Sequence, residues 1–136
     1  MIDKEIIKIA SNTENHGMLN GHTHSSKLKN AICGDEMKIY LIIKDDQITD
    51  FKYECESCIY CQASVSLLSR NAKNKSIEKV KNFAKQAKNC FEKNAKSLDK
   101  EWEEFDKIMN KNNISRKECL LLPVNTTINA LNKKSL

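Results

Sequence analysis

The sequence predicts an α+β domain in which a small antiparallel sheet packs against several helices. Three observations predict it. Met37, Ile39, Leu41 and Ile43 alternate with Lys38, Tyr40, Ile42 and Lys44, the period of a strand with one buried face. Asp45-Asp46-Gln47 reads as a turn into a second strand, so the two form a hairpin. Beyond Cys58 the apolar spacing lengthens to three and four and stays helical almost to the end of the chain.

The elements follow in order. Ile2, Ile6 and Ile9 recur at helical spacing, with Asp3 as N-cap, and predict a first helix ending near Ser11 to Asn15. The polar segment Asn12 to Asn30 holds all three histidines, His16, His22 and His24, and its later half, Thr23 to Lys29, suits an edge strand. The second hairpin strand spans Ile48 to Glu54, with Phe51 and Tyr53 on one face. Ala63, Leu67 and Leu68 place a helix over about Ile59 to Asn71. Ser76 caps the next helix, whose inner face is Ile77, Val80, Ala84, Ala87 and Phe91. Leu98, Trp102, Phe105 and Met109 predict a further helix. Ser115 to Glu118 has capping-box spacing and introduces a last helix carrying Val124, Ile128 and Leu131, with Pro123 tolerated near its start.

With 136 residues, three glycines, one proline and no linker-like stretch, the chain reads as a single domain over 1–136, large enough to bury a core. No apolar run approaches the roughly 18 residues of a membrane span. The start, Met1 to Glu5, lacks a signal-peptide layout, so a cytoplasmic location with reduced thiols is expected and no membrane partner. Six cysteines in a largely helical chain argue against a secreted disulfide framework. The charge is asymmetric. Residues 1–69 carry 7 basic and 10 acidic side chains, whereas residues 70–136 carry 16 and 8. The lysines are mixed with acids and lack aromatic interleaving, which fits a solvated helical surface or an acidic protein partner rather than nucleic acid.

The cysteines carry the chemistry. Cys33-Gly34-Asp35 puts a thiolate and a carboxylate two residues apart across a glycine that permits a tight turn. Cys33, Cys58 and Cys119 all stand at junctions, before a strand and at the starts of two helices. Helix N-termini favour thiolates, and Arg116 and Lys117 beside Cys119 predict an exposed, reactive one. Cys55, Cys58 and Cys61 form Cys-x-x-Cys-x-x-Cys, but the run lacks the fourth cysteine and proline of a ferredoxin and the second pair of a zinc ribbon. Cys55 and Cys61 are therefore open to either reading, spare ligand or filler. Cys90, within a helix pattern, reads as structural, and the histidines, lacking matched partners, read as solvated side chains.

These residues carry a family resemblance. Asn30 to Lys38, around Cys33-Gly34-Asp35, resembles the N-P-x-C-G-D signature of the IscU/NifU/SufU family of iron–sulfur cluster assembly proteins, with Ala31 in place of the proline. Glu56 to Ser64 resembles that family's G-C-x-x-x-x-A-S motif, and Asn15-His16-Gly17 its early N-x-G turn. Arg116 to Pro123 is similar to the R-x-K-C-x-x-L-P of the SufU-like branch, as is the segment of about 60 residues between Cys58 and Cys119. Glu118 stands where the IscU branch has a histidine. The resemblance implies a three-stranded antiparallel sheet against helices. It implies a site of Cys33, Asp35, Cys58 and Cys119 holding zinc or a transient [2Fe–2S] cluster, and persulfide sulfur taken from a cysteine desulfurase, with Cys119 as acceptor. The implied role is scaffold or carrier, delivering to apo iron–sulfur proteins. Two rivals are a zinc-dependent sulfurtransferase and a zinc-stabilised interaction module without sulfur chemistry.

Overall fold

The computed structural model describes residues 3–92 and 97–133. Helix α1 (Lys4–Ala10) is followed by strands β1 (His24–Lys29), β2 (Glu36–Lys44) and β3 (Gln47–Glu56). Helices α2 (Ile59–Ala72) and α3 (Ile77–Asn89) come next, then two 3₁₀ helices, Lys100–Lys107 and Lys111–Arg116, and finally α4 (Lys117–Leu131). The strands form one antiparallel sheet in the order β1-β2-β3. No helix among the described residues is long and apolar enough to cross a membrane.

The Asp3 side chain accepts from the Glu5 N–H and starts α1, which buries Ile6, Ile9 and Ala10; Ile2 lies outside the described residues. The hairpin closes with Asp45 and Asp46 both at positive φ, 53° and 61°, the backbone of a tight two-residue turn that Asp tolerates. A register shift between Ile42 and Ile43 pairs Ile43 with Ile48 but Ile42 with Asp50, leaving Thr49 as an extra residue. That bulge puts Ile48 and Phe51, three residues apart, on the same core face, both fully buried.

Helix α2 is the centre of the molecule, packed against α1, β3 and α4. It is buried almost all round, and Ala63, Ser64, Ser66 and Ser69 are small enough to let those elements approach closely. Ser76 caps α3 by accepting from the Lys79 N–H. Phe83, absent from the expected inner face, is buried there and stacks on Trp102 at 4.3 Å between ring centroids.

Three expectations are corrected. The segment around Trp102 is a 3₁₀ helix rather than an α-helix, and Trp102 and Phe105 at spacing three suit that tighter coil. Ser115 does not cap the last helix; it lies inside the 3₁₀ helix that ends at Arg116, which occupies the cap position with no side-chain cap bond. Pro123 sits in the second turn of α4, not its start, and deprives the Cys119 carbonyl of its helical donor.

Candidate metal centre

The site lies where the β1–β2 loop meets the N-termini of α2 and α4. The loop is held by its own backbone: the Gly34 N–H donates to the Asn30 carbonyl at 2.7 Å, and the Asn30 N–H to the Asp35 carbonyl at 2.7 Å. The Asn30 side chain accepts from the Ile32 N–H, tightening the turn. Gly34 has φ +76°, the left-handed conformation that glycine adopts without strain. The result is a loop that turns Cys33 and Asp35 toward the helices while leaving Ile32 87% exposed.

Asp35 is only 7% exposed. Its Oδ1 accepts from the Cys58 N–H at 3.1 Å, tying the loop to the start of α2. Its Oδ2 is buried with no partner. Cys58 is the N-cap of α2 and its thiol makes no cap bond. Cys119, third in α4, is held by a contact at the α2–α4 interface. The buried Ser64 hydroxyl donates to the Leu120 carbonyl at 2.6 Å, beside the place where Pro123 interrupts the helix. The Arg116 guanidinium lies over the Tyr60 ring at 5.0 Å, bridging the starts of the same two helices.

Cys33, Asp35 and Cys119 come together, with one ligand atom from each within 4.8 Å of the others. Their sulfurs, Cys33 Sγ and Cys119 Sγ, are 3.8 Å apart. Cys58 borders this group: its thiol neighbours that of Cys119 and its N–H holds Asp35. Cys119 is 6% exposed, not the exposed thiolate that its helix position suggests. Burial pushes its thiol far above the ordinary thiol range, and the neighbouring Cys58 and Cys33 thiols push it further. Helix-end stabilisation is outweighed by the burial of Cys119 and by the two thiols beside it.

A cation reverses that balance, since metal binding stabilises thiolates. The donors fit one. Two thiolates at about 2.3 Å from a tetrahedral zinc lie about 3.8 Å apart. The Asp35 carboxylate, one oxygen of which is buried and unpartnered, supplies a further donor. The residues therefore suit zinc or an iron–sulfur cluster, both of which thiolates bind well.

The other candidates lie outside this group. Cys61 is fully buried and Cys55 half-buried on β3; burial raises both thiols, against a smaller lowering from the Ser57 hydroxyl between them. Cys90 is buried at the end of α3. His16 is exposed against Tyr53, whereas His22 and His24 are half-buried, bonded to the Leu19 carbonyl and the Thr23 hydroxyl, rather than fully solvated. The sequence reading missed Asn15 and Ser64 as positioning residues. Asn15 joins the loop after α1 to Ser69 and Lys73 of the α2 region. Both stand inside quoted motifs, which was the available signal.

A family model described as the NifU-like N terminal domain matches residues 1–101, which include Cys33, Asp35 and Cys58. The chain belongs to the IscU/NifU/SufU family of iron–sulfur cluster assembly proteins. The iron–sulfur cluster assembly scaffold protein IscU of Thermotoga maritima is 30% identical to it, over 99% of this chain and 95% of its own length. The zinc-dependent sulfurtransferase SufU of Bacillus subtilis is 31% identical over 54% of this chain and 50% of its own length. The crystal structure of a putative iron–sulfur cluster assembly scaffold protein for the SUF system, from Fervidobacterium islandicum AW-1, superposes with a TM-score of 0.83 at 27% identity, covering 96% of each chain. Likeness thus runs to both the IscU-like and SufU-like branches, and along the whole chain to a scaffold. Within this IscU-like fold, Cys119 lies beyond the residues matched by the family model and is delivered to the site by α4.

Proposed function

We propose that this chain is a cytoplasmic iron–sulfur cluster assembly scaffold, acting as one unit over 1–136. In this reading Cys33, Asp35, Cys58 and Cys119 hold a nascent [2Fe–2S] cluster, and Cys119 accepts sulfur from a cysteine desulfurase before delivery to apo proteins. The observation that carries it is the convergence of Cys33, Asp35 and Cys119 with the buried Asp35 Oδ2 left unpartnered. Chemistry supports the same set. Thiolates favour the cluster, and a single hard carboxylate among them keeps it labile, as delivery requires.

The sulfur step balances simply. The Cys119 thiolate attacks the terminal sulfur of the desulfurase persulfide, a new S–S bond forms on Cys119, and the desulfurase thiolate leaves. The test is desulfurase turnover with and without this protein, with mass spectrometry of the products. Turnover rises and one added sulfur maps to Cys119 in the wild type, whereas Cys119→Ser carries none there. Unchanged turnover with no sulfur on any cysteine overturns the reading and leaves a zinc-stabilised interaction module.

The likeness to SufU, with sulfurs spaced as zinc requires, favours a second reading: a zinc-dependent sulfurtransferase with no cluster of its own. Metal analysis and the absorption spectrum of anaerobically purified protein separate the two. Iron with visible charge-transfer bands supports the scaffold; stoichiometric zinc and a colourless protein support the sulfurtransferase.

A further inference from the structure

Cys58-Ile59-Tyr60-Cys61 begins α2, with Cys58 as N-cap and Cys61 as the third helical residue. Cys58 is half-buried, open toward the site, and Cys61 is fully buried behind it. This is the layout of a thiol–disulfide pair, an outer cysteine at a helix N-terminus and an inner one a turn further on. An N-cap side chain folds back over the third helical residue, the place its hydrogen bond goes when it makes one. Cys58 makes no such bond, so its thiol is not tied to the helix backbone. The extended backbone of Cys58, φ −69° and ψ 166°, carries its side chain over the first turn, and a disulfide brings the two Cβ atoms to about 3.5–4.5 Å. Cys61 has no place in the cluster of Cys33, Asp35 and Cys119, and Cys58 stands at its border, its thiol next to that of Cys119.

We propose that Cys58 and Cys61 form a resolving dithiol that converts bound persulfide sulfur into sulfide beside Cys33, Asp35 and Cys119. The inference rests on the sulfur-acceptor reading above. Sulfur first moves from Cys119 to its neighbour: the Cys58 thiolate attacks the terminal sulfur of the Cys119 persulfide, and the Cys119 thiolate leaves. Cys61 then attacks Cys58 Sγ. The bond from Cys58 Sγ to the transferred sulfur breaks, a Cys58–Cys61 disulfide forms, and the transferred sulfur departs with the bonding pair and the Cys61 proton as hydrosulfide. The sulfur gains two electrons and the dithiol loses two. A protein or small-molecule dithiol then reduces the disulfide for the next turn. Three donors remain in place to meet the sulfide while Cys58 is engaged.

Two measurements on the full-length chain, stripped with a chelator, test it without any desulfurase. In the first, the protein is equilibrated anaerobically in dithiothreitol redox buffers, trapped by alkylation, and cleaved after Glu56 and Tyr60 so that Cys55, Cys58 and Cys61 separate. A Cys58–Cys61 disulfide forming in one two-electron transition is expected. In the second, the protein is loaded with inorganic polysulfide, desalted, and followed for sulfide release with no added reductant. Wild type and Cys55→Ser release sulfide as the Cys58–Cys61 disulfide appears, whereas Cys61→Ala and Cys61→Ser keep their persulfide and release is lost. Release from the Cys61 variants at the wild-type rate, or a wild-type disulfide that maps to Cys55 or Cys119 instead, overturns the proposal. Because the disulfide mapping uses wild type, it stands even where a Cys61 variant folds poorly. A desulfurase that fails to load the chain sinks the sulfur-acceptor reading, while loading of Cys119 without the Cys58–Cys61 disulfide sinks only this one.

Discussion

The two oxygens of Asp35 do separate work, and two substitutions divide them. Oδ1 accepts from the Cys58 N–H at 3.1 Å, and Oδ2 is buried without a partner, the atom that the proposed metal role would use. Asp35→Ala removes both, stranding the Cys58 N–H in a site where the carboxylate was 7% exposed. An orphaned buried donor costs about 1–3 kcal/mol. Unfolding entropy of about 2.1 cal/mol/K per residue makes 1 kcal/mol worth about 3.5 °C for 136 residues, so Asp35→Ala melts about 4–10 °C below Asp35→Asn, both variants lacking the buried unpartnered Oδ2 charge. Asp35→Asn keeps an acceptor of the same shape for that N–H. Cluster lability follows the other oxygen. Both variants lose the hard anionic donor, so both retain a reconstituted [2Fe–2S] cluster longer against a chelator or an apo acceptor. Calorimetry on the stripped proteins reads the first effect, and the decay of visible absorbance reads the second. A Tm for Asp35→Ala equal to that of Asp35→Asn refutes the Oδ1 argument. Cluster loss as fast as wild type in both variants, with folding intact, refutes the Oδ2 argument.

Ser64→Ala removes the hydroxyl that holds the Leu120 carbonyl and should cost about 1–3 kcal/mol with weaker zinc binding. Ser66→Ala, whose hydroxyl bonds the Asn12 carbonyl instead, leaves zinc affinity unchanged; competition with a chromophoric chelator checks both. Alkaline pH destabilises the fold in a defined window. Burial, with a smaller push from Asp106, raises the Cys90 thiol from 9.0 to about 11. Below pH 9 both folded and unfolded chains keep this proton; between 9 and 11 the unfolded chain loses it first, so stability falls, at most about 1.4 kcal/mol per pH unit from this group. Cys90→Ala therefore flattens the decline of Tm over that window under reducing conditions, and parallel profiles for the two proteins count against the assignment.

The parts of the fold legible in the sequence are those where local pattern and tertiary packing agree. Alternation at Met37 to Ile43 and the caps at Asp3 and Ser76 are local signals, and the elements form where they point. Trp102 and Phe105 show the opposite case. Apolar spacing of three and four describes a buried face but does not separate an α-helix from a 3₁₀ helix, and docking on Phe83 decides it. Ser115 had the right neighbours for a capping box, yet the preceding 3₁₀ helix occupies the backbone that such a box needs. Phe83 was passed over because Val80 and Ala84 already satisfied the period, although all three are buried.

At the site, Cys33, Asp35 and Cys119 meet as their motifs suggest, but their environment is not legible in the sequence. Spacing and motif drew attention to Cys33, Asp35, Cys58 and Cys119, but the burial of Cys119 and the double role of Asp35 arise from three elements meeting, which no local window contains. Under the proposed metal role, a carboxylate at position 35 differs from a cysteine there. A cysteine at position 35 would add a softer donor but offer a single sulfur, able either to face a metal or to meet the Cys58 N–H. A carboxylate does both at once. Were Oδ2 to hold a metal and release it, Oδ1 would still fix the loop on the start of α2, with Cys33 near Cys119. A site that must release what it holds without losing its own shape is served by a ligand whose structural bond and metal bond are made by different atoms.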